Sequence, residues 1–265
     1  LNCDIQLTDK RGVYFQEVKK GLGIAYTPPC VNRSQATFDV KDQQLVYALG
    51  ALKNVGVEAM KLLVEGRGDQ EFVNLFDFAR RCDLKRIGKR PLEMLARAGA
   101  FAVLDPNRRR VFNGLDALTG YSAAIHDQKS SNQVSLFGEA GEDLPEPKLI
   151  SGDDWLPAER LAEEFRAIGF YLSGHPLDDY MGPLKRKQVL TFDEVIVRAE
   201  KGAAIVKMAG TVSGRQERKS ARGNRFAFVQ LSDPTGQYEV TMFSDTLEAS
   251  REFLETGAQV VIQCE

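Results

Sequence analysis

Histidine is almost missing from this chain of 265 residues. Only His126 and His175 occur, and neither stands at ligand spacing from a cysteine, a second histidine or a carboxylate. The common zinc spacings are therefore excluded, and His175, directly before Pro176, reads as a turn residue. Cysteine is scarce too. Cys3, Cys30, Cys82 and Cys264 lie far apart with no CxxC pair, so a disulfide scaffold is not expected. They read as reduced thiols of a cytosolic protein. No apolar run approaches the roughly 20 residues that span a bilayer, and no secretory leader is present, so no membrane contact is expected. No serine or cysteine sits in a nucleophile elbow. Gly21-Leu22-Gly23 lacks the third glycine and the preceding strand of a dinucleotide loop. The many acids fall on helix faces or in one acidic stretch, where solvation explains them. No catalytic residue, metal ligand or cofactor site is expected in this chain.

What is present is a globular composition, 43% hydrophobic and 27% charged, long enough for about two domains. The first residue is Leu1 rather than Met, which reads as a piece of a longer protein. Net charge is −2, so the molecule as a whole is no polycation, yet its charges are segregated. Residues 80–97 hold seven bases (80, 81, 85, 86, 89, 90, 97) against Asp83 and Glu93. Residues 139–154 hold six acids against Lys148, and residues 215–225 five bases against Glu217. Local basic patches matter more for nucleic acid than the total does.

Periodicity divides the chain in two. Thr8-Asp9 predicts the cap of a helix running to Lys20, stopped by Gly21. "LGIAYTPP" predicts a short strand, and Leu45, Leu49 and Leu52 predict a helix after Lys41-Asp42. Further helices are predicted over residues 58–65, within "EFVNLFDFARRC", within "RPLEMLARAG", and from Asp105-Pro106 to about Lys129. The acidic stretch of Ser130 to Asp154 reads as a linker, with Asp153 or Asp154 capping the helix that carries Leu161, Phe165 and Ile168. After Ala203 the period changes. "AIVKMAGTV", "RFAFVQLSD", "QYEVTMF" and "AQVVIQCE" predict strands, "DPTG" a turn, and "SDTLEASREFLE" a helix. An α+β multidomain fold follows, with helical hairpins first and a β-barrel after them.

"ALGALKNVGVEAMKLL" predicts two short helices joined by a tight turn. Such a turn aims backbone N–H groups and a helix N-terminus at one point, which suits a phosphate oxygen. This pattern resembles a helix-hairpin-helix motif, with Asn54 in the place of the usual first glycine; an ordinary αα-hairpin is the alternative. Lys53, Asn54, Val55 and Gly56 are its candidate DNA contacts. Lys85, Arg86, Lys89 and Arg90 cluster before a helix N-terminus, where cations do not favour the helix dipole. A phosphate backbone would compensate them, although a solvated helix face is the usual reading of a charge run. The β part suggests an OB-fold barrel. Arg218, Lys219, Arg222 and Arg225 at its basic hairpin are candidate single-strand contacts, and Phe226 and Phe228, on one face, are expected in the core.

"SSNQVSLFGE" is different again: it shows Leu136-Phe137 in an otherwise polar stretch. Its apolar residues alternate only in part, so a partner-binding peptide fits better than a buried strand, with Gln133, Ser135, Leu136 and Phe137 as its contacts.

Five motifs, in order, carry a family resemblance: "PPCVNRSQATFDV", "YALGALKNVG", "KRPLEMLARAGAF", "RAIGFYLSGHPLDDY" and "NRFAFVQLSDPTGQYEVTMF". Together they resemble the alpha subunit of bacterial DNA polymerase III, the C-family replicative polymerase, over nearly the whole chain. The resemblance implies the end of the fingers region at 1–33 and a tandem helix-hairpin-helix domain at 34–129. A linker with a clamp-binding peptide would follow at 130–154, then a helical connector at 155–200 and an OB domain at 201–265 that stops short of its last strand. It implies double- and single-stranded DNA, the sliding clamp (the beta subunit) and other replicase subunits as partners, in the cytoplasm. It also places the Mg²⁺-binding palm aspartates upstream of Leu1, so that this segment binds but does not polymerise. Alternatives are a repair enzyme or accessory protein built from the same modules, a protein-interaction scaffold, and a damage-tolerant paralogue of the polymerase.

Overall fold

The computed structural model describes residues 1–5, 7–130, 144–202, 205–221 and 223–265. It comprises two compact units, Leu1–Leu172 and Ser173–Glu265. The boundary falls inside the segment expected as a connector, whose first helix belongs to the first unit.

In the first unit, α1 (Thr8–Gln16) runs into one π-helical turn, Glu17–Gly21. Leu7, rather than Thr8 or Asp9, is its N-cap. A small sheet follows, made of β1 (Tyr26–Thr27), β2 (Asp39–Lys41) and β3 (Gln44–Val46), in the order β1-β3-β2. The helix predicted around Leu45 is thus a hairpin. Asp42 and Gln43 take φ of +51° and +61°, the left-handed pair of a two-residue hairpin turn that no helix tolerates. Leu45, Leu49 and Leu52 are buried as predicted, but so are Val46, Tyr47, Ala48 and Ala51 between them. That burial all round the chain, not helical periodicity, explains the apolar run; only Leu49–Ala51 forms a turn of 3-10 helix.

Five helices then build the body: α2 (Val57–Arg67), α3 (Leu75–Arg81), α4 (Leu84–Ile87), α5 (Lys89–Arg97) and α6 (Arg108–Ser130). Their starts are set by side chains. Asn74 accepts from the N–H groups of Phe76 and Asp77, at 3.0 and 2.8 Å, and Asp83 does the same for Lys85 and Arg86. The core joins Met60, Leu63, Phe78, Leu84, Leu95 and Phe101, all within 1–2% of full burial.

The described part of the expected linker is no free tether. Leu144 and Leu149 pack on this core, Glu146 pairs with Arg80 at 3.0 Å, and Asn107 donates to the Gly152 carbonyl at 2.8 Å. Asp154 caps α6, accepting from the Arg109 N–H at 3.0 Å from 45 residues away. The helix it was expected to cap, α7 (Pro157–Ile168), instead closes its first turn with Glu159, which accepts from the Leu156 N–H.

The second unit begins with α8 (Met181–Arg186), β4 (Val189–Leu190) and α9 (Phe192–Ala199). Then come β5 (Val206–Lys219), β6 (Arg225–Asp233), β7 (Gly236–Phe243), α10 (Ser244–Ser250) and β8 (Gln259–Cys264). The four long strands, the turn at Asp233 and the helix between β7 and β8 match the sequence reading. Asp233 Oδ1 builds the turn, accepting from the N–H groups of Thr235 and Gly236 at 2.7 and 2.9 Å. β5 is long enough to serve three neighbours: residues 207–208 pair with β4 in parallel, residues 206–211 with β8, and residues 211–219 with β6 across a bulge at Val212/Gly214. The expected β-barrel is not closed. Among the described residues no ladder joins β7 to β8, so the sheet stays open along that seam. Val206, Met208, Val212, Val229 and Leu231 fill its interior.

Candidate nucleic-acid interface

Three groups of sequence-predicted residues fall in describable positions, and the fold treats each differently. The first hairpin turn joins the 3-10 turn at Leu49–Ala51 to α2. Asn54 adopts φ of +58°, so it does the work of the glycine it replaces. Asn54 and Gly56 are exposed, whereas Val55 is buried at 2% and packs the turn to the core. Gly56 caps α2, leaving the first N–H groups of that helix at the surface side of the turn. Lys53 is held from behind. Its N–H donates to the Ala167 carbonyl at 2.7 Å, and its ammonium lies 5.3 Å from the centre of the Phe165 ring, both on α7. Sequence reasoning missed that hold, because 114 residues separate the partners.

The second hairpin is α4, Gly88 and α5. Gly88 takes φ of +96°, a value open to glycine, and caps α5. Around this N-terminus Lys85, Arg86, Lys89 and Arg90 are all exposed, while Leu84, Ile87 and Leu92 pack inward. The sequence-predicted quartet is therefore brought together. Pro91 removes one donor but leaves the N–H groups of Lys89 and Arg90 at the helix start. Lys89 has a competitor for any anion: its ammonium bonds to Asp116 of α6 at 2.7 Å, and that bond holds its pKa above the ordinary lysine value.

In the second unit the structure overturns the expected burial of two phenylalanines. The interior row of β6 is Ala227, Val229 and Leu231, all fully buried. Phe226 and Phe228 lie on the opposite row, half-buried, with ring centres 5.4 Å apart and edge to face. Over residues 226–229 both rows of β6 are apolar, but the row of Phe226 and Phe228 turns polar at Gln230 and Ser232 while Ala227, Val229 and Leu231 stay apolar. Register places Arg218 opposite Phe226 and Gln216 opposite Phe228 on one side, and Phe243 opposite Phe226 on the other. The Arg218 guanidinium lies 5.3 Å over the Phe228 ring. Phe243 is 71% exposed. The result is an open sheet face carrying three aromatic rings and a cation, the arrangement on which unpaired bases stack. Lys219 and Arg225 pair at the end of the hairpin and are exposed. Arg222 lies outside the described residues, as do Gln133, Ser135, Leu136 and Phe137.

Among the described residues no group of three or more His, Cys, Asp or Glu side chains is placed to hold a metal ion. No described helix is long and apolar enough to cross a membrane.

Comparison with known proteins gives a family for each unit. A family model described as a helix-hairpin-helix motif matches residues 23–111, and one described as an OB-fold nucleic acid binding domain matches residues 206–265. The DNA polymerase III subunit alpha of Caulobacter vibrioides is 41% identical over 264 residues, covering 99% of this chain and 23% of that protein. The subunits of the same name from Vibrio cholerae and Rickettsia prowazekii are 31% and 30% identical, over 99% and 100% of this chain and 23% and 25% of theirs. The chain thus spans about a quarter of the length of these curated relatives. The family to which five sequence motifs pointed is the family found. End to end, this chain is homologous to a segment of the DNA polymerase III alpha subunits, built as a helix-hairpin-helix unit followed by an OB-fold unit.

Proposed function

We propose that this chain is the DNA-holding and partner-tethering part of a DNA-templated DNA polymerase, and that it does not polymerise by itself. The observation that carries the reading is the second hairpin. Four exposed cations surround a glycine-capped helix N-terminus there, with no acid in the first turn of that helix. Backbone N–H groups and the helix dipole then act on one phosphate while the side chains reach its neighbours, so contact is independent of base sequence. The first hairpin adds Asn54 and Gly56 to the same kind of contact. The face of Phe226, Phe228, Phe243 and Arg218 takes unpaired bases by stacking, which holds a template strand without reading it.

The peptide of Gln133, Ser135, Leu136 and Phe137 is the tether to a sliding clamp, with the two apolar side chains as anchors. Tethering raises the local concentration of the polymerase at a primer end and sustains processive synthesis without strong DNA affinity. Other replicase subunits would meet the whole protein of which this chain matches a quarter.

The test has two arms. Fluorescence anisotropy with a blunt duplex and with a thymidine oligonucleotide measures DNA binding; surface plasmon resonance on an immobilised sliding clamp measures tethering. Replacing Leu136 and Phe137 by Ala should abolish the clamp signal and leave both DNA affinities intact. An unchanged clamp signal overturns the tether, and the absence of binding to either DNA overturns the DNA-holding role.

A further inference from the structure

Outside the sheet of the second unit, on the side away from its interior, lies a cleft of about 530 Å³. Its floor is Val189 of β4 and Ala209 of β5; its walls are Leu177, Leu184 and Pro183 on one side and Val260 and Val261 of β8 on the other. A small core of Leu177, Val189 and Ala209, supported by Met181 and Leu184, makes those walls firm. The cleft is not sealed. Tyr180 at its mouth is 54% exposed and Val261 is 59% exposed. Apolar side chains left open beside a formed cavity are characteristic of an interaction site.

The rim is basic. Lys187 and Lys207 line the cleft, and Lys185 and Arg186 precede Lys187 on the same exposed turn. None of these four cations forms an ion pair with a described residue. The DNA-facing features named above use other residues, so this surface is separate from them. Exposed Asp178 and Asp179 stand beside Tyr180 at the mouth, so the positive charge is concentrated at Lys185–Lys187 and Lys207. An aliphatic floor beside that charge selects for one or two apolar side chains flanked by carboxylates.

We propose that this cleft is a docking site for an acidic peptide segment of a partner protein, which inserts a Leu, Ile, Phe or Trp side chain between α8 and β8. The peptide's Asp and Glu residues pair with Lys187 and Lys207. Nucleic acid fits less well: the rim cations would meet its phosphates, but the cleft offers bases only the Tyr180 ring for stacking and leaves its aliphatic floor unfilled.

Titration of the ¹⁵N-labelled chain tests this. The probes are a panel of eight-residue peptides that place a Leu, Ile, Phe or Trp anchor between Asp/Glu flanks, the same anchors between Lys flanks, and a twelve-residue thymidine oligonucleotide. At least one acidic peptide should shift amide signals grouped at residues 177–189, 207–209 and 259–261, and its Lys-flanked counterpart should not. Val261→Glu, at an exposed position, and Lys187→Glu should each weaken that binding tenfold or more, with the remaining spectrum unchanged. Grouped shifts with the oligonucleotide but not with the peptides assign the cleft to nucleic acid and overturn the proposal. So does a panel with no binder, or binding that survives Val261→Glu.

Discussion

Removing Lys89 and Arg90 together, as Ala, isolates the phosphate contact of the second hairpin. Both side chains are exposed at the start of α5, outside the core that Leu92, Leu95 and Ala96 form, so the helix should survive. Each phosphate neutralised contributes about 0.9 to the slope of log affinity against log salt, or about 3.5-fold between roughly 50 and 200 mM. Four contacts, from Lys85, Arg86, Lys89 and Arg90, correspond to a loss of roughly 150-fold over that range, and two contacts to about 12-fold. The double variant should therefore show a shallower salt dependence by about 1.8 in slope, measured by anisotropy on a labelled duplex at five salt concentrations. Lys89 enters this reckoning already bonded to Asp116, whose charge a phosphate must displace. Asp116→Asn should accordingly raise duplex affinity at low salt, because a phosphate then no longer competes with a carboxylate for Lys89, and leave the slope unchanged. Equal slopes for the parent and the double variant, with matching circular dichroism melts, would refute phosphate contact at this hairpin.

The turn at Asn54 should reject a branched side chain: Asn54→Val costs about 1–2 kcal/mol at φ of +58°, while Asn54→Gly is neutral, read by thermal melting. Phe228→Ala should weaken thymidine oligonucleotide binding by about 1–3 kcal/mol and leave duplex affinity unchanged, which anisotropy separates. Glu164 is 2% exposed, accepts from the Leu172 N–H at 2.8 Å and lies 3.6 Å from Arg108, a group whose own pKa burial lowers. Glu164→Ala leaves that buried cation without its carboxylate and should cost roughly 3–5 kcal/mol in urea unfolding. His175 is held neutral by burial, its pKa pushed down to about 4, with Nδ1 accepting from the Leu177 N–H and Nε2 facing Ser232 Oγ. Below pH 6.5 the unfolded chain takes the proton and the folded one does not, so stability falls from there towards pH 4, by about 2 kcal/mol at pH 5; His175→Asn should flatten that part of the urea-stability profile.

Local chemistry made much of this legible. Asp233 and Gly236 declare their turn. The basic quartet of residues 85–90 is contiguous, so it can be read without knowing the fold. Asn74 and Asp83 cap helices through backbone groups two or three residues away, a local signal that the sequence reading passes over. It assigns caps instead to Thr8-Asp9 for α1 and to Asp153 or Asp154 for α7, which the fold does not use there. The errors share a cause. Leu45, Leu49 and Leu52 match a helical spacing, but a left-handed pair at Asp42-Gln43 put Leu45 in a hairpin, and burial from every side left only a 3-10 turn at Leu49–Ala51. Phe226 and Phe228 weigh as core residues by size, yet their row ends in Gln230 and Ser232, and the register across the sheet places the smaller Ala227, Val229 and Leu231 inward.

The sequence by itself determined the change from helical to β architecture, the turn at Asp233 and the charge placed at the second hairpin. These depend on interactions within one turn of chain or one strand. The tertiary structure alone decided three other matters: the hold of α7 on Lys53, the packing of residues 144–154 along α6, and the outward turn of the aromatic row on β6. Each is a contact between residues far apart in the chain, whose energy exists only once the core has brought them together.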